Sequence, residues 1–316
     1  MPKGVRLGMP RELMNRRFGI EMEGYFSSNP REVKIKGARI KKDLSLTNPH
    51  WNTGRDKFGV EINSRPIKTI GIVDRIFNDM VSLGGWSVDE RAGTHIHVEI
   101  ADYTELDKLK LLRFCKGIEN IMYTFVKNYR YSNNYCYRLD NSWRKVFKET
   151  GNLEETIQGA RNGLVHIQNV LRKKGIPTVY NPKYNWCNIY DSHHRTAEFR
   201  LFHAIENVEE AKNFVRLAIA IVDMVKVVSP EQLEFIIASI YSDSKTAQDC
   251  VDKLYEAVGL DQALYGLSMQ GTEAYSELSA KMANRDTQGE KKKKGKLIAA
   301  YSSSDVDIFA SGNLFA

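Results

Sequence analysis

Two glutamates, Glu21 and Glu23, lie two residues apart in the stretch "FGIEMEG". Successive side chains of a β-strand point to opposite faces of a sheet, so residues two apart share a face. The residues that alternate with these glutamates are largely apolar, which favours a strand with one buried face. Two carboxylates at this spacing repel each other, so the pair needs a neutralising partner such as a metal ion.

Three other predicted strands carry chemically similar residues on one face. The positions on that face are Glu61 and Asn63 in "FGVEINS", His95, His97 and Glu99 in "THIHVEI", and Thr196, Glu198, Arg200 and Phe202 in "HRTAEFRLF". For one strand alone, a solvated face of an antiparallel sheet is the simpler interpretation. A solvated face usually mixes Lys, Thr, Ser and Gln, whereas carboxylates and imidazoles dominate these strands. The combination favours a binding site.

Most of the clustered groups are oxygen donors, which suit Mg²⁺ or Mn²⁺ better than a structural zinc ion. Mg²⁺ usually retains several waters and bridges to the phosphates of a substrate. Two arginines, Arg195 and Arg200, lie close to Glu198 in the sequence and are suited to hold phosphate oxygens. The residues therefore predict a metal and phosphate site on one face of a sheet.

Helical patterns between and after the strands predict the elements that position this sheet. Helical spacing of apolar residues, followed by two glycines at 84–85, predicts a first helix through Ile67, Ile70, Val73, Phe77 and Met80. A second helix is predicted to begin near Thr104, a suitable N-cap, and a third to span residues 153–175. Residues 27–57 form a polar, basic connection with a predicted β-hairpin that turns at Gly37.

The C-terminal third of the chain is predicted to be helical. Asn207 with Glu210, and Ser229 with Gln232, have the spacing of capping boxes. Beyond about residue 285 the composition is rich in Lys and then in Ser, which is typical of a flexible tail. We therefore expect a single catalytic domain over residues 1–284, strand-rich over 16–203 and helical over 204–284, and a tail over 285–316.

Composition argues against several classes of protein. The chain has 316 residues, of which 42% are hydrophobic, and a formal net charge of +7 that fits ligands bearing phosphate. No stretch approaches the roughly 20 apolar residues of a membrane helix, and the N-terminus lacks the apolar segment of a signal peptide. The four cysteines form no CxxC pair and are expected to be reduced and mostly buried. We therefore expect a cytoplasmic protein without a membrane partner.

Five motifs follow one another over residues 18–203: "FGIEME", "GVEINSRP", "GTHIHV", "YNWCNI" and "RTAEFRLF". In this order they resemble the motifs of the amidoligase family. Its members are carboxylate–amine ligases of the glutamine synthetase and γ-glutamylcysteine ligase superfamily. The resemblance implies an α+β fold in which a curved antiparallel sheet forms a funnel, with helices packed on its outer face. The stretch "HWNTGRDKFG" departs from the family's Trp, Asp and Ser pattern, which concerns the substrate side of the pocket.

The resemblance also implies roles for individual residues. The metal ligands would be Glu21, Glu23, Glu61, His95 and Glu198, and the catalytic residues would be Glu21, Glu198 and Arg200. The cofactor ATP would be contacted by His97, Arg195, Arg200 and Ser64. His193 and His194 precede the last strand, and we leave them out of the metal set because adjacent residues on a strand face opposite ways. His50, His166 and His203 are expected to be surface or helix-packing histidines.

The implied activity is ATP- and Mg²⁺-dependent formation of an amide bond through an acyl phosphate, with Mn²⁺ as an alternative metal. The carboxylate and amine substrates would come from an amino acid, a peptide or a protein side chain, and nucleic acid is not expected as a partner. The alternatives are a non-catalytic protein of this fold that serves nucleic-acid binding or assembly, and a phosphotransferase of the same fold. The basic, aromatic stretch 125–147 is interpreted as a helix end and loop over the mouth of the funnel.

Overall fold

The computed structural model of the protein describes residues 13–27, 34–46, 58–139, 184–190, 195–242 and 244–289. Within them the strands are β1 Leu13–Phe26, β2 Ala38–Lys42, β3 Phe58–Ser64, β4 Ile67–Thr69, β5 Gly93–Glu99, β6 Cys187–Tyr190 and β7 Thr196–His203. The α-helices are α1 Gly71–Ser82, α2 Glu105–Met122, α3 Val208–Val227, α4 Pro230–Ser242, α5 Ala247–Val258, α6 Gln262–Tyr265 and α7 Thr272–Gly289. Two short 3₁₀-helices, Tyr123–Phe125 and Asn128–Arg130, follow α2.

All these strands belong to one antiparallel sheet. The strand order is β2-β3-β1-β5-β7-β6, and β4 pairs with a further part of β1. Over the part of the chain that the structure describes, the sheet is open, with β2 and β6 at its two ends. The predicted α+β class with an antiparallel sheet is therefore confirmed.

Alternation within the strands gives the sheet one apolar face. Phe18, Ile20 and Met22 of β1, and Ile96 and Val98 of β5, each have at most 2% of their surface exposed. Helix α3 packs against these two strands. Burial of each large apolar side chain contributes about 1.5–3 kcal/mol to folding. The core therefore lies between the sheet and the helices, and the opposite face of the sheet is left to the polar residues.

The first helix begins later than the sequence predicts. Ile67 lies in strand β4, opposite Phe18 of β1, and α1 begins at Gly71. Ile67 is still buried in the same core. It is apolar because strand pairing buries it, and its spacing happens to match the helical pattern that follows. The helix ends where the sequence predicts. Gly84 and Gly85 have φ angles of 73° and 71°, in the left-handed region that glycine favours.

Two of the predicted helix starts are confirmed in detail. The side chain of Thr104 accepts a hydrogen bond from the backbone N–H of Asp107, whose carboxylate accepts one from the backbone N–H of Thr104. Ser229 and Gln232 bond each other in the same reciprocal way at the start of α4. These caps satisfy backbone donors that have no partner within the helix.

Asn207 caps α3, but the predicted capping box with Glu210 is wrong. The side chain of Asn207 accepts a hydrogen bond from the backbone N–H of Glu209 at 2.8 Å. Glu210 instead lies 3.2 Å from Nε2 of His203. His203 is 1% exposed and packs edge-on against the ring of Phe214, which confirms its helix-packing role.

Gly37 forms a turn with a φ angle of 92°, but the predicted hairpin is wrong. The strand after the turn, β2, pairs with β3 and not with residues 34–36, the described residues that precede the turn. In this register Arg39 lies opposite Asn63, and Lys41 lies opposite Glu61. Strand β2 therefore adds two cationic side chains to the polar face of the sheet.

Strand β7 contains a bulge that reverses its alternation. Thr94 of β5 lies opposite Phe202, whereas Ile96 lies opposite Phe199, so one residue of β5 faces two residues of β7. Beyond the bulge, the ring of Phe202 turns to the helical side and stacks on the ring of Phe214, with 4.2 Å between ring centres. The prediction that Phe202 lies on the polar face is therefore wrong.

All four cysteines are free and buried, as predicted. Each helix in the described ranges falls short of the length and apolarity that crossing a membrane requires. Several predictions lie outside the described residues: the helix over 153–175, residues 290–316 of the predicted tail, and His50, His166, His193 and His194. Residues 285–289, predicted as the beginning of that tail, are the end of α7.

Candidate functional site

Cross-strand pairing places acidic residues and histidines of four strands side by side on the polar face. Neighbouring strands are about 4.8 Å apart, so opposed side chains on one face come into contact. The opposed pairs are Glu21 with Asn63, Glu21 with His95, Glu23 with Glu61, and His97 with Glu198. The pairing thus brings together all five residues predicted as metal ligands.

His95 lies at the centre of this acidic cluster. Its Nδ1 is 3.1 Å from a carboxylate oxygen of Glu21 and 3.8 Å from one of Glu198, and its Nε2 is 3.6 Å from one of Glu23. The side chain of His95 is only 3% exposed, so water has little access to it. One imidazole therefore links three carboxylates from strands β1 and β7.

Glu21, His97 and Glu198 form a first ligand group, with ligand atoms within 4.8 Å of one another. Nε2 of His97 is 3.3 Å from Oε1 of Glu21 and 3.5 Å from Oε1 of Glu198. Glu198 is 2% exposed, and its Oε2 has no hydrogen-bond partner within the described part of the chain. A buried carboxylate oxygen without a partner costs folding free energy, and a bound cation would offset that cost. The group therefore fits a divalent ion.

Glu23, Asp43 and Glu61 form a second ligand group, also with ligand atoms within 4.8 Å of one another. Oε2 of Glu23 accepts a hydrogen bond from the backbone N–H of Gly93 at 2.7 Å. Asp43 directly follows β2, and its backbone N–H donates to the carbonyl of Gly59 at 3.0 Å. Sequence reasoning missed Asp43 because it lies in a polar connection. Its place at the end of the alternating stretch "ARIKK" was the only signal.

Close packing shifts the pKa values of three of these groups. Burial raises the pKa of Glu21, but the hydrogen bonds and charges of His95 and His97 outweigh burial and hold this pKa well below its usual range. Burial dominates at Glu23 and raises its pKa. Burial lowers the pKa of His97, but its hydrogen bond to Glu21 and the charge of Glu198 outweigh burial and raise this pKa. Glu21 and His97 therefore form an ion pair, whereas burial disfavours the charged form of Glu23.

Arg200 is held against the acidic cluster. Its Nη1 donates to Oε1 of Glu198 at 2.8 Å, and its Nε donates to the backbone carbonyl of Tyr135 at 3.2 Å. The guanidinium carbon lies 5.8 Å from the centre of the Tyr184 ring. Burial lowers the pKa of Arg200, but the carboxylate of Glu198 outweighs burial and raises it. A guanidinium that is fixed in this way can bind an oxyanion with little rearrangement.

Arg130 holds the backbone behind Arg200, and sequence reasoning missed it. Its side chain is fully buried and donates to the carbonyls of Arg200 and Leu201 at 2.6 and 3.1 Å, at the bulge of β7. A Cβ atom on Gly93 would lie 3.0 Å from Nη1 of Arg130, so the guanidinium would have to shift by a few tenths of an ångström to accommodate a side chain there. Arg130 had no signal of its own, because it lies in a stretch interpreted as a helix end and loop.

Two of the predicted ATP contacts lie away from the centre of the cluster. Oγ of Ser64 accepts a hydrogen bond from the backbone N–H of Ile20 at 2.9 Å and so joins β3 to β1. Arg195 has an exposed side chain and a positive φ of 45°, and its carbonyl accepts a hydrogen bond from Ile100 at 2.8 Å. His97 and Arg200 lie within the cluster, whereas Ser64 lies at its edge and Arg195 outside it.

A cleft of 660 Å³ opens beside the first ligand group. This volume lies within the ordinary range of sites for small ligands. Its walls include Glu21, His97 and Ser64 together with four cationic side chains, those of Arg17, Arg39, Lys41 and Arg65. The acidic cluster thus borders a cleft in which positive side chains predominate.

The described part of the basic, aromatic stretch, residues 125–139, belongs largely to the core. Phe125, Arg130, Cys136 and Leu139 are each at most 3% exposed, whereas Tyr135 is 45% exposed. The carbonyl of Tyr135 is the group that orients Arg200. This part of the stretch therefore supports the site from behind.

Comparisons with protein-family models and with curated protein sequences find no match to this chain.

Proposed function

We propose that the protein is an ATP- and Mg²⁺-dependent carboxylate–amine ligase, and that its sheet is the curved funnel of a glutamine synthetase-like enzyme. One observation carries the proposal. The buried carboxylate of Glu198 and the partly buried carboxylates of Glu21 and Glu23 converge around His95, and one oxygen of Glu198 has no hydrogen-bond partner among the described residues. Such a cluster is costly to fold, so we infer that it is retained to bind cations.

The donor set fits Mg²⁺, because carboxylate oxygens predominate and two ligand groups lie on adjacent strands. The residues that would hold ions are Glu21, His97 and Glu198 in the first ligand group and Glu23, Asp43 and Glu61 in the second, with the predicted ligand His95 between them. When bound, Mg²⁺ would screen the negative charge of the phosphates during phosphoryl transfer. The ordered motifs that resemble amidoligases support this choice of metal and of reaction.

A ligase of this kind first has to activate its carboxylate substrate, because a carboxylate is a poor electrophile. Transfer of the γ-phosphoryl group of ATP to the carboxylate would give an acyl phosphate and release ADP. The amine would then displace phosphate and lose a proton as the amide forms. Arg200 is placed to hold the oxygens of the transferred group, since Glu198 and the carbonyl of Tyr135 fix its orientation. Arg130 supports this geometry through the backbone of Arg200.

The test needs no knowledge of the substrates. Thermal unfolding is followed with and without ATP and MgCl₂ for the wild type, for Glu21→Gln/Glu198→Gln and for Glu256→Gln/Glu273→Gln. The last variant makes the same charge change at exposed helical positions. A ligand at a hundredfold excess over its Kd stabilises the protein by about 2.7 kcal/mol, which raises Tm by several degrees.

We expect a Mg²⁺-dependent rise in Tm with ATP for the wild type and for the helical control, and none for Glu21→Gln/Glu198→Gln. A well-folded wild type that shows no rise would contradict the proposal and favour the non-catalytic alternative. Hydroxylamine then separates a ligase from a phosphotransferase, because it traps an acyl phosphate as a hydroxamate. ATP consumption with a carboxylate substrate but without hydroxamate would contradict the ligase assignment.

A further inference from the structure

The cleft beside the first ligand group contains two arginines that form no ion pair with another described residue. Arg17 pairs with Glu99 at 2.5 Å, and Lys41 lies 3.6 Å from Glu61, so these two cations have nearby carboxylates. The structure gives neither of the other cationic side chains of the cleft, Arg39 and Arg65, an ion pair with any described residue.

Backbone hydrogen bonds fix the positions from which the side chains of Arg39 and Arg65 extend. Arg39 lies opposite Asn63, which in turn lies opposite Glu21, so Arg39 shares the polar face with the acidic cluster. With strands about 4.8 Å apart, the backbone of Arg39 is about 10 Å from that of Glu21, within the combined reach of an arginine and a bound anion. The backbone N–H of Arg65 donates to the carbonyl of Gly37 at 3.0 Å, which ties the end of β3 to the turn before β2.

Arg200 lies on the opposite side of the same cluster, in β7, two strands away from β1 in the other direction. The polar face therefore has a carboxylate and imidazole centre with guanidinium groups on both sides. Guanidinium groups bind carboxylate and phosphate oxygens in pairs of hydrogen bonds. A ligand that fits this pattern carries oxyanion groups at separate positions along its length.

We propose that Arg39 and Arg65 form an oxyanion subsite that binds the anionic end of a ligand reaching from the acidic cluster into the cleft. The ligand is a polyanion, either a polyphosphate chain or a polycarboxylate, because the 660 Å³ cleft exceeds what a single small oxyanion would fill. The subsite itself is inferred from the charged side chains that line the cleft. Only the identification of its ligand as a substrate rests on the proposed ligase function.

The subsite is tested in EDTA, so that the outcome does not depend on a metal ion. Binding of two probes, inorganic tripolyphosphate and tricarballylate, is measured by isothermal titration calorimetry at 0.15 M salt. The proteins are the wild type, Arg39→Gln/Arg65→Gln and the control Arg75→Gln/Lys245→Gln, which removes two exposed positive charges from the helical layer. Screening at this salt concentration weakens attraction between distant surface charges.

We expect at least one probe to bind the wild type and the control equally, and to bind Arg39→Gln/Arg65→Gln at least tenfold more weakly. Preference for tripolyphosphate identifies the ligand as a phosphate chain, and preference for tricarballylate identifies it as a polycarboxylate. Failure of both probes to bind the wild type, or an equal loss in the control variant, overturns the subsite.

The two proposals fail separately. Loss of the ATP and Mg²⁺ effect in Glu21→Gln/Glu198→Gln with normal tripolyphosphate binding supports both proposals. Probe binding without any effect of ATP and Mg²⁺ on the wild type would leave the subsite in place and contradict the ligase.

Discussion

The ion pair between Glu21 and His97 sets the charge of the first ligand group. Their closest atoms are 3.3 Å apart, and the pKa of Glu21 is lowered while that of His97 is raised. The contribution of Glu21 to stability is present above its ordinary pKa and is lost as pH falls through the lowered value. The contribution of His97 is present below about pH 6.5, its ordinary pKa, and is lost as pH rises through the raised value.

Replacement of His97 therefore has a pH-dependent effect on stability. In EDTA, we expect His97→Gln to lower Tm by a few degrees at pH 5.5 and by clearly less at pH 8.5, because the wild-type imidazole loses its charge over this range. Thermal unfolding at the two pH values measures the difference. The control is the same substitution in a Glu21→Gln background, where most of the pH dependence should disappear. A Tm difference that is equal at both pH values would contradict the ion pair.

The residues predicted as metal ligands share a pattern that can be recognised in one sequence alone. Glu21, Glu23, Glu61, His95 and Glu198 alternate with apolar residues in short strands, and strand alternation is a local rule. Asp43 only continues the alternation of β2 beyond the end of the strand, and Arg130 follows no such rule. Asp43 reaches the second ligand group because β2 pairs with β3, and Arg130 reaches the site from outside the sheet. Their positions depend on tertiary packing, which no spacing in the sequence records.

At the scale of elements, the bulge of β7 and the start of β5 together position side chains of the candidate site. Arg130 binds the carbonyls of the bulge, and Gly93 leaves room for its guanidinium. The backbone N–H of Gly93 also donates to Glu23. Gly93, which bonds Glu23 and lies against Arg130, thus links the second ligand group to strand β7, which carries Glu198 and Arg200.

Gly93→Ala tests this link. The added Cβ would lie 3.0 Å from two nitrogen atoms of Arg130, so we expect a loss of about 1–3 kcal/mol in the free energy of unfolding. Mg²⁺ affinity should also fall, because Glu23 loses its fixed donor. The control Gly71→Ala has ordinary space around the new Cβ, with the nearest atom at 3.8 Å. Chemical denaturation and Mg²⁺ titration measure both effects, and equal behaviour of the two variants would contradict the link.

The sequence predicts which segments are strands and helices better than it predicts how they join. Strand alternation and helix caps at Thr104 and Ser229 depend on neighbouring residues, and the structure confirms them. The bulge that turns Phe202 to the core, the strand at Ile67 and the partner of β2 depend on pairing with distant strands. Local periodicity in the sequence does not reveal such pairing, so these three predictions are wrong.

At the scale of the whole molecule, Arg16 joins the sheet to the helical layer. Its guanidinium donates to Asp223 of α3 at 2.7 Å and to the two carboxylate oxygens of Asp102, before α2, at 2.5 and 3.0 Å. It also donates to the carbonyl of Glu99 at the end of β5. The side chain of Arg16 is 12% exposed, so solvent screens these contacts only in part. A single residue therefore connects three elements around the core.

Arg16→Met is expected to lower the free energy of unfolding by about 1–2 kcal/mol, because it removes several charge-assisted hydrogen bonds whose acceptors remain partly exposed. The neighbouring substitution Arg17→Met is the matched control. Arg17 is 61% exposed and pairs only with Glu99 among the described carboxylates, so little change is expected. Urea denaturation compares the two variants. A larger loss for Arg17→Met would contradict the role of Arg16.

The crowded carboxylates of the polar face have a consequence for how such a sequence changes over time. Their mutual repulsion and burial lower the stability of the unliganded fold, so a neutral replacement such as Gln at Glu23, where burial opposes the charge, would make the protein more stable. Selection for stability alone would favour neutral residues at such positions. In the proposed function, cation binding is the requirement that opposes this drift toward a neutral sheet face.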